Sequence, residues 1–135
     1  MGNDHVVPEF INRFKKLKSK KKFLIQGSGE EIRSFIHIKD FISGFDKIYK
    51  KGKKFEIYNI GTSEKVKIKY LANLMAKIFN KKIILKKTKR FQGGTSIRCP
   101  DINKIKKLGF KQKISLRSGI IEVLDKWWQK ISQNL

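Results

Sequence analysis

Apolar spacing in this chain switches repeatedly between a period near 3.6 and a period near two, which restricts it to folds that alternate helices with short strands. Phe10, Ile11, Phe14 and Leu17 recur as on one helix face, as do Phe41, Ile42, Phe45, Ile48 and Tyr49. Ile68, Leu71, Ala72, Met75, Ile78 and Phe79 set a third helix, and Leu116, Ile120, Val123, Leu124, Trp127 and Ile131 a last one. Between them, residues 23–25, 33–38, 55–60 and 83–85 read as strands and residues 86–100 as a loop. Asn3 or Asp4, Asp40, Asp101 and Ser115 stand where helix N-caps belong, Pro8 falls in a first turn, and Gly52 and Gly109 close helices. A short helix is expected through Ile102, Ile105 and Leu108. The order is α/β, with no internal repeat and no linker, so residues 1–135 are expected to form a single domain.

Composition narrows the class. A hydrophobic fraction of 39% with ten Phe supports a packed core rather than a disordered chain. No run approaches the roughly 20 apolar residues that cross a bilayer, and the first residues carry no basic segment followed by an apolar one. The expectation is a cytoplasmic protein without membrane contact. Cys99, the single cysteine, has no neighbour with which to form a disulfide or metal site. The net charge of +22 suggests a polyanion partner. Yet of 33 basic residues only Arg13, Arg33, Arg90, Arg98 and Arg117 are arginine, the side chain whose planar fork reads base edges. Lysines at element ends and on polar faces read as solvated surface, so specific nucleic-acid binding is not expected.

The turn Gln26-Gly27-Ser28-Gly29-Glu30 lacks the third glycine of a dinucleotide loop and leads into alternating residues instead of a helix. It opens a longer stretch, Gly27-Ser28-Gly29-Glu30-Glu31-Ile32-Arg33-Ser34-Phe35-Ile36-His37-Ile38-Lys39-Asp40, followed by Glu56-Ile57-Tyr58-Asn59-Ile60-Gly61. Arg98-Cys99-Pro100-Asp101-Ile102-Asn103-Lys104, Lys107-Leu108-Gly109-Phe110 and Ser115-Leu116-Arg117-Ser118-Gly119-Ile120 come after, in that order. Taken together these segments resemble the NAD-dependent epimerase/dehydratase family, the extended short-chain dehydrogenases that modify nucleotide sugars. The resemblance runs over nearly the whole chain. Its departures are Ser28 for an aspartate, Gln112 for a proline and Lys67 for a Ser or Thr cap.

The resemblance implies an α/β C-terminal substrate-binding region of helices and short strands, lacking the Rossmann nucleotide-binding half. Met1 to Pro8 resemble residues that follow the family's Tyr-Gly-Pro motif, which would make Met1 an internal methionine. The cofactor loop and the catalytic Tyr-x-x-x-Lys would then lie outside the sequence. Tyr49-Lys50-Lys51-Gly52-Lys53 imitates that pair but sits on the wrong helix. No catalytic residue, metal ligand or cofactor-binding residue is therefore expected here, and NAD is implied for the intact enzyme only. A nucleoside-diphosphate sugar is the implied substrate, and its charge calls for fixed cationic donors. Arg33, at the entry of a strand, matches the family's diphosphate arginine. A plainer role for it is pairing with Glu30 or Glu31. Arg98 matches a second phosphate-contacting arginine, and Arg90 competes with it for that task.

His5 and Val6 match positions that line the sugar and phosphate side, although a surface histidine beside a helix cap is an equally simple account. Phe23, Leu24 and Ile25 match a nucleobase wall and fit strand core as well. Asn59 and Gly61 are expected to shape a strand end, and Trp127 and Trp128 to serve packing or an oligomer contact. Several functions are open: the substrate-binding part of an enzyme that is inactive alone, a module pairing with a separately encoded Rossmann half, a basic polyanion or nucleic-acid binder, or a gene relic. The last would leave Phe41, Phe45 and Ile48 uncovered. A homodimer is possible in the intact form.

Overall fold

Helix α1 (Val6–Lys16) carries Pro8 in its opening turn, where a missing amide leaves no bond unmade, and buries Phe10, Ile11 and Phe14. The computed structural model describes residues 5–18, 20–88 and 95–132, with the backbone alone at 127–132. Asn3 and Asp4, the expected caps, lie outside the described residues, as do the side chains of Trp127, Trp128 and Ile131. The N-cap position of α1 is taken by His5, whose side chain makes no capping bond. At the other end the Phe14 carbonyl accepts from the Leu17 amide at 3.3 Å, and Lys81 donates to the carbonyls of both Phe14 and Leu17.

Strand β1 (Lys21–Ile25) pairs in parallel with β4 (Ile83–Lys87), Phe23 standing opposite Leu85. Strand alternation turns Phe23 and Ile25 inward and leaves Leu24 exposed. Between these strands in sequence lies α3 (Ile68–Ile78), whose Leu71, Ala72 and Met75 are fully buried. Phe14 stacks on Phe23 at 4.4 Å and on Phe79 at 5.5 Å, and Phe10 meets Phe23 edge-on at 5.0 Å. These aromatic contacts tie α1 to the β1 core.

A second sheet is mixed: β2 (Ile32–Arg33) has β3 (Val66–Lys67) antiparallel on one side and β5 (Ile97–Arg98) parallel on the other. The alternation of residues 33–38 predicts a longer strand. The ladder stops at Arg33 because both neighbours are two residues long, leaving residues 34–37 nothing to pair with. The expected loop at 86–100 is likewise shortened, by Lys86 and Lys87 at the end of β4 and by β5.

Contacts divide the chain into two compact units, residues 1–33 with 66–98, and residues 34–65 with 99–135. The second unit contains α2 (Ile38–Lys51), α4 (Asn103–Lys107) and α5 (Leu116–Ser132), and its core cluster is Ile102, Ile105 and Phe110, on which Ile36, Ile48 and Ile60 pack. Gly44 makes that approach possible, since a Cβ there would lie 2.9 Å from Ile60 and 3.1 Å from Ile105. Ser115 accepts from the Ser118 amide at 3.1 Å and caps α5 as predicted; Asp101, expected to cap α4, lies one residue before its N-cap, Ile102, and accepts from the Asn103 amide at 2.8 Å.

Two expectations are corrected here. Asp40 does not cap α2, which begins at Ile38 with His37 as its cap, the imidazole accepting from the Lys39 amide. Asp40 is instead 2% exposed, and its carboxylate accepts from the backbone of Lys113 and Ile114, clasping the segment before α5. Residues 55–60 are not a paired strand. Exposure alternates along 57–60 as a strand requires, but among the described residues no strand pairs with this segment.

Candidate functional site

The turn before β2 is built for tight curvature. Gly27 and Gly29 have φ of +79° and +80°, which side chains other than glycine adopt at a cost. Glu31 folds back beneath them: its carboxylate accepts from the Ser28 amide at 3.0 Å, the Ser28 hydroxyl at 3.1 Å and the Gly29 amide at 2.8 Å. Burial pushes the Glu31 carboxyl up, and the hydrogen bonds from Ser28, its own amide and Gly29 outweigh it and hold it below its ordinary range. These amides, the turn's natural anion seat, are therefore already filled by a carboxylate of the same chain. The turn leads into a strand, with no helix N-terminus behind it, so it does not fit a dinucleotide pyrophosphate.

Glu30 is also engaged. It pairs with Lys69 and Lys67 at 2.5 and 3.0 Å, and their hydrogen bonds, that of Lys69 foremost, lower its carboxyl to about 2. Glu30 and Glu31, the acids with which Arg33 was expected to pair on the plainer reading, thus each have other partners as well. Arg33 Nη1 donates to the carbonyls of Ile32 at 2.7 Å and Ser96 at 3.5 Å, which leans the guanidinium toward β5.

There the strand register brings two of the expected residues together. Arg33 and Arg98 are direct partners in the parallel β2–β5 ladder. Opposed residues of neighbouring strands project from the same face of a sheet, so both arginines belong to one face of this ladder. Arg33 is half-buried and Arg98 exposed.

Of the other expected site residues, His5 and Val6 stand at the start of α1, exposed and half-buried, outside this ladder. Arg90 lies outside the described residues. Leu24 faces solvent from β1 while Phe23 and Ile25 are core, so of the expected nucleobase wall only Leu24 is open to a ligand. Asn59 donates to the Asp101 carbonyl at 3.1 Å, and a Cβ on Gly61 would meet Pro100 at 2.6 Å, so both shape a chain crossing. The Glu31 clasp went unread in the sequence, although an acid three residues after a serine between two glycines is a pattern that could have signalled it.

Among the described residues no three His, Cys, Asp or Glu side chains gather as a metal site, and no helix is long and apolar enough to cross a membrane.

Residues 1–61 match the NAD dependent epimerase/dehydratase family. The chain belongs to that family. It is 30% identical over 130 residues to a probable GDP-L-fucose synthase of rice, covering 93% of this chain and 39% of the relative. It is 28% identical over 138 residues to human dTDP-D-glucose 4,6-dehydratase, covering 97% and 38%. Among solved structures, the UDP-glucose 4-epimerase of Thermotoga maritima with UDP-glucose superposes with a TM-score of 0.82 at 24% identity, over 96% of this chain and 41% of that one. The UDP-glucuronic acid 4-epimerase of Bacillus cereus, in complex with UDP-glucuronic acid and NAD, gives 0.76 at 26% identity, over 87% and 38%. The chain thus spans about two-fifths of the length of these epimerase/dehydratase relatives and carries that part of their extended short-chain dehydrogenase fold.

Proposed function

We propose that this chain is the nucleotide-sugar-binding portion of an NAD-dependent sugar-nucleotide epimerase or dehydratase, gripping the diphosphate between Arg33 and Arg98. The observation that carries this reading is their register pairing on β2 and β5. Two permanently charged forks on adjacent strands suit two phosphates at any working pH. Leu24, exposed on β1, offers an apolar surface to the rest of the ligand, and His5 and Val6 are secondary candidates. NAD and the residues that move hydride and proton belong to a Rossmann half beyond the matched region, and the chain alone turns over no substrate.

Calorimetric titration with uridine, guanosine and thymidine diphosphate sugars, beside duplex DNA across a salt series, tests this. One nucleotide sugar should bind, and Arg33→Ala should weaken it roughly ten- to a hundredfold, the worth of about 1.5–3 kcal/mol for a hydrogen bond to a charged group. Equal affinity in the variant, or DNA binding that outcompetes every nucleotide sugar at low salt and collapses as salt rises, would replace the reading with non-specific polyanion attraction.

A further inference from the structure

Helix α2 closes at Gly52, and the chain that leaves it makes a tight turn in which the Lys53 carbonyl accepts from the Glu56 amide at 3.3 Å. The two central residues are Lys54 and Phe55, and Phe55 has a φ of +60°. A turn with positive φ at its third position favours Gly or Asn there, and a bulky side chain takes that conformation only under strain. Of the three non-glycine residues with positive φ among the described residues, Asn80 is a common occupant of the region and Lys20 a polar one; Phe55 is neither. Packing does not offset the strain, because Phe55 is 105% exposed and its ring stands wholly in solvent. A ring held in a strained and unpacked position lowers the stability of the free protein, so its use lies in what it meets outside the fold.

Around the ring the surface is cationic. Lys51, Lys53 and Lys54 are exposed, and the two acids nearest in sequence are answered by other lysines, Asp46 by Lys50 at 2.9 Å and Glu56 by Lys104 at 2.5 Å. Among the described residues no carboxylate lies within ion-pair distance of Lys51, Lys53 or Lys54. The turn is also pinned. The Tyr58 hydroxyl accepts from the Lys53 amide at 3.1 Å, and the Gly52 amide donates to the Ile48 carbonyl at 2.7 Å. Ring and lysines are thus presented together on a fixed tip.

We propose that residues 51–55 form a peripheral contact for an anionic lipid surface, with the lysines against the headgroups and the Phe55 ring in the boundary between headgroups and acyl chains. A bilayer interface uses both halves of the tip: its negative surface potential attracts the lysines, and its boundary layer takes up the ring. Nucleic acid uses less of it, since stacking requires successive aromatics and phosphate forks favour arginine, and residues 50–55 hold one ring and no arginine. Such a contact requires no membrane-crossing helix, and none exists among the described residues. One ring with three lysines gives reversible, salt-sensitive binding rather than a permanent anchor. Neither Arg33 nor Arg98 belongs to this tip, so the diphosphate grip can fail without touching it.

The full chain is sedimented with vesicles of phosphatidylcholine alone or of phosphatidylcholine with about one-third phosphatidylserine. Wild type should bind the anionic vesicles roughly tenfold or more above the neutral ones and be released as salt rises. Phe55→Gly puts glycine where the turn favours it, so it should melt no lower than wild type and bind anionic vesicles roughly tenfold more weakly, the loss expected when an aromatic side chain no longer leaves water. Replacing Lys51, Lys53 and Lys54 together by Gln should weaken binding roughly a hundredfold. The same loss of charge at Lys21, Lys22 and Lys86 in the other unit should weaken it by less than about threefold. Unchanged binding by Phe55→Gly, or equal losses in the two triple variants, would overturn the proposal in favour of undirected attraction by a chain of net charge +22. Duplex DNA that strips the chain from anionic vesicles at equal phosphate, with Phe55→Gly weakened toward DNA as well, would overturn it in favour of a nucleic-acid surface. No binding to the anionic vesicles would overturn it outright.

Discussion

Replacing Asp40 by alanine should destabilise the fold by about 2–4 kcal/mol. The carboxylate, 2% exposed, accepts from Lys113 at 3.1 and 3.2 Å and from Ile114 at 2.9 Å. Each hydrogen bond to a charged acceptor contributes roughly 1.5–3 kcal/mol when its donor is left buried. Lys113 is exposed and recovers part of this from water, while Ile114 is half-buried and recovers less. Alanine returns about half a kcal/mol through its helix propensity, which does not change the sign. Asp40→Asn keeps one acceptor oxygen but turns an NH2 toward an amide donor, so it should fall between wild type and alanine. Urea unfolding followed by circular dichroism gives the size, and amide exchange locates it: Lys113 and Ile114 should lose protection. A helix cap behaves differently, with asparagine nearly neutral, alanine costing about 1 kcal/mol and the loss confined to the first turn of α2. That result would refute the clasp.

Phe14→Ala, which removes a ring with no exposed surface stacked between Phe23 and Phe79, should cost roughly 3–5 kcal/mol, whereas Phe41→Ser on the exposed side of α2 should change stability by less than about 0.5 kcal/mol and raise solubility. Thermal melts and light scattering separate the two. Acid should loosen the α2–α5 contact in a defined window: hydrogen bonds from Lys39 and then Lys126 hold the Glu122 carboxyl down to about 2. A depressed carboxylate adds stability that is complete above its ordinary value near 4.5 and lost as pH falls toward 2. Wild type should therefore lose more stability than Glu122→Gln between those limits, and parallel curves would count against the tie.

The helices were legible in the sequence because their apolar faces repeat within a few residues, and the glycine turn because its geometry is local. Arg33 stood out in the sequence as a candidate phosphate ligand through the ordered segments around it. Three features depended on tertiary structure. Arg98 became its partner only when a two-residue strand, in a stretch that reads as loop, paired in register with β2. Asp40 reads as a helix cap from its neighbours, and its actual partners lie 73 and 74 residues away. The apolar face of α2 was visible as a pattern, but periodicity does not reveal which of two apolar sides meets the core. By itself the sequence determined periods, turns and side-chain chemistry, since these depend on near neighbours. The fold decided which distant groups share a ladder, which carboxylate is buried, and which apolar side of α2 meets the core.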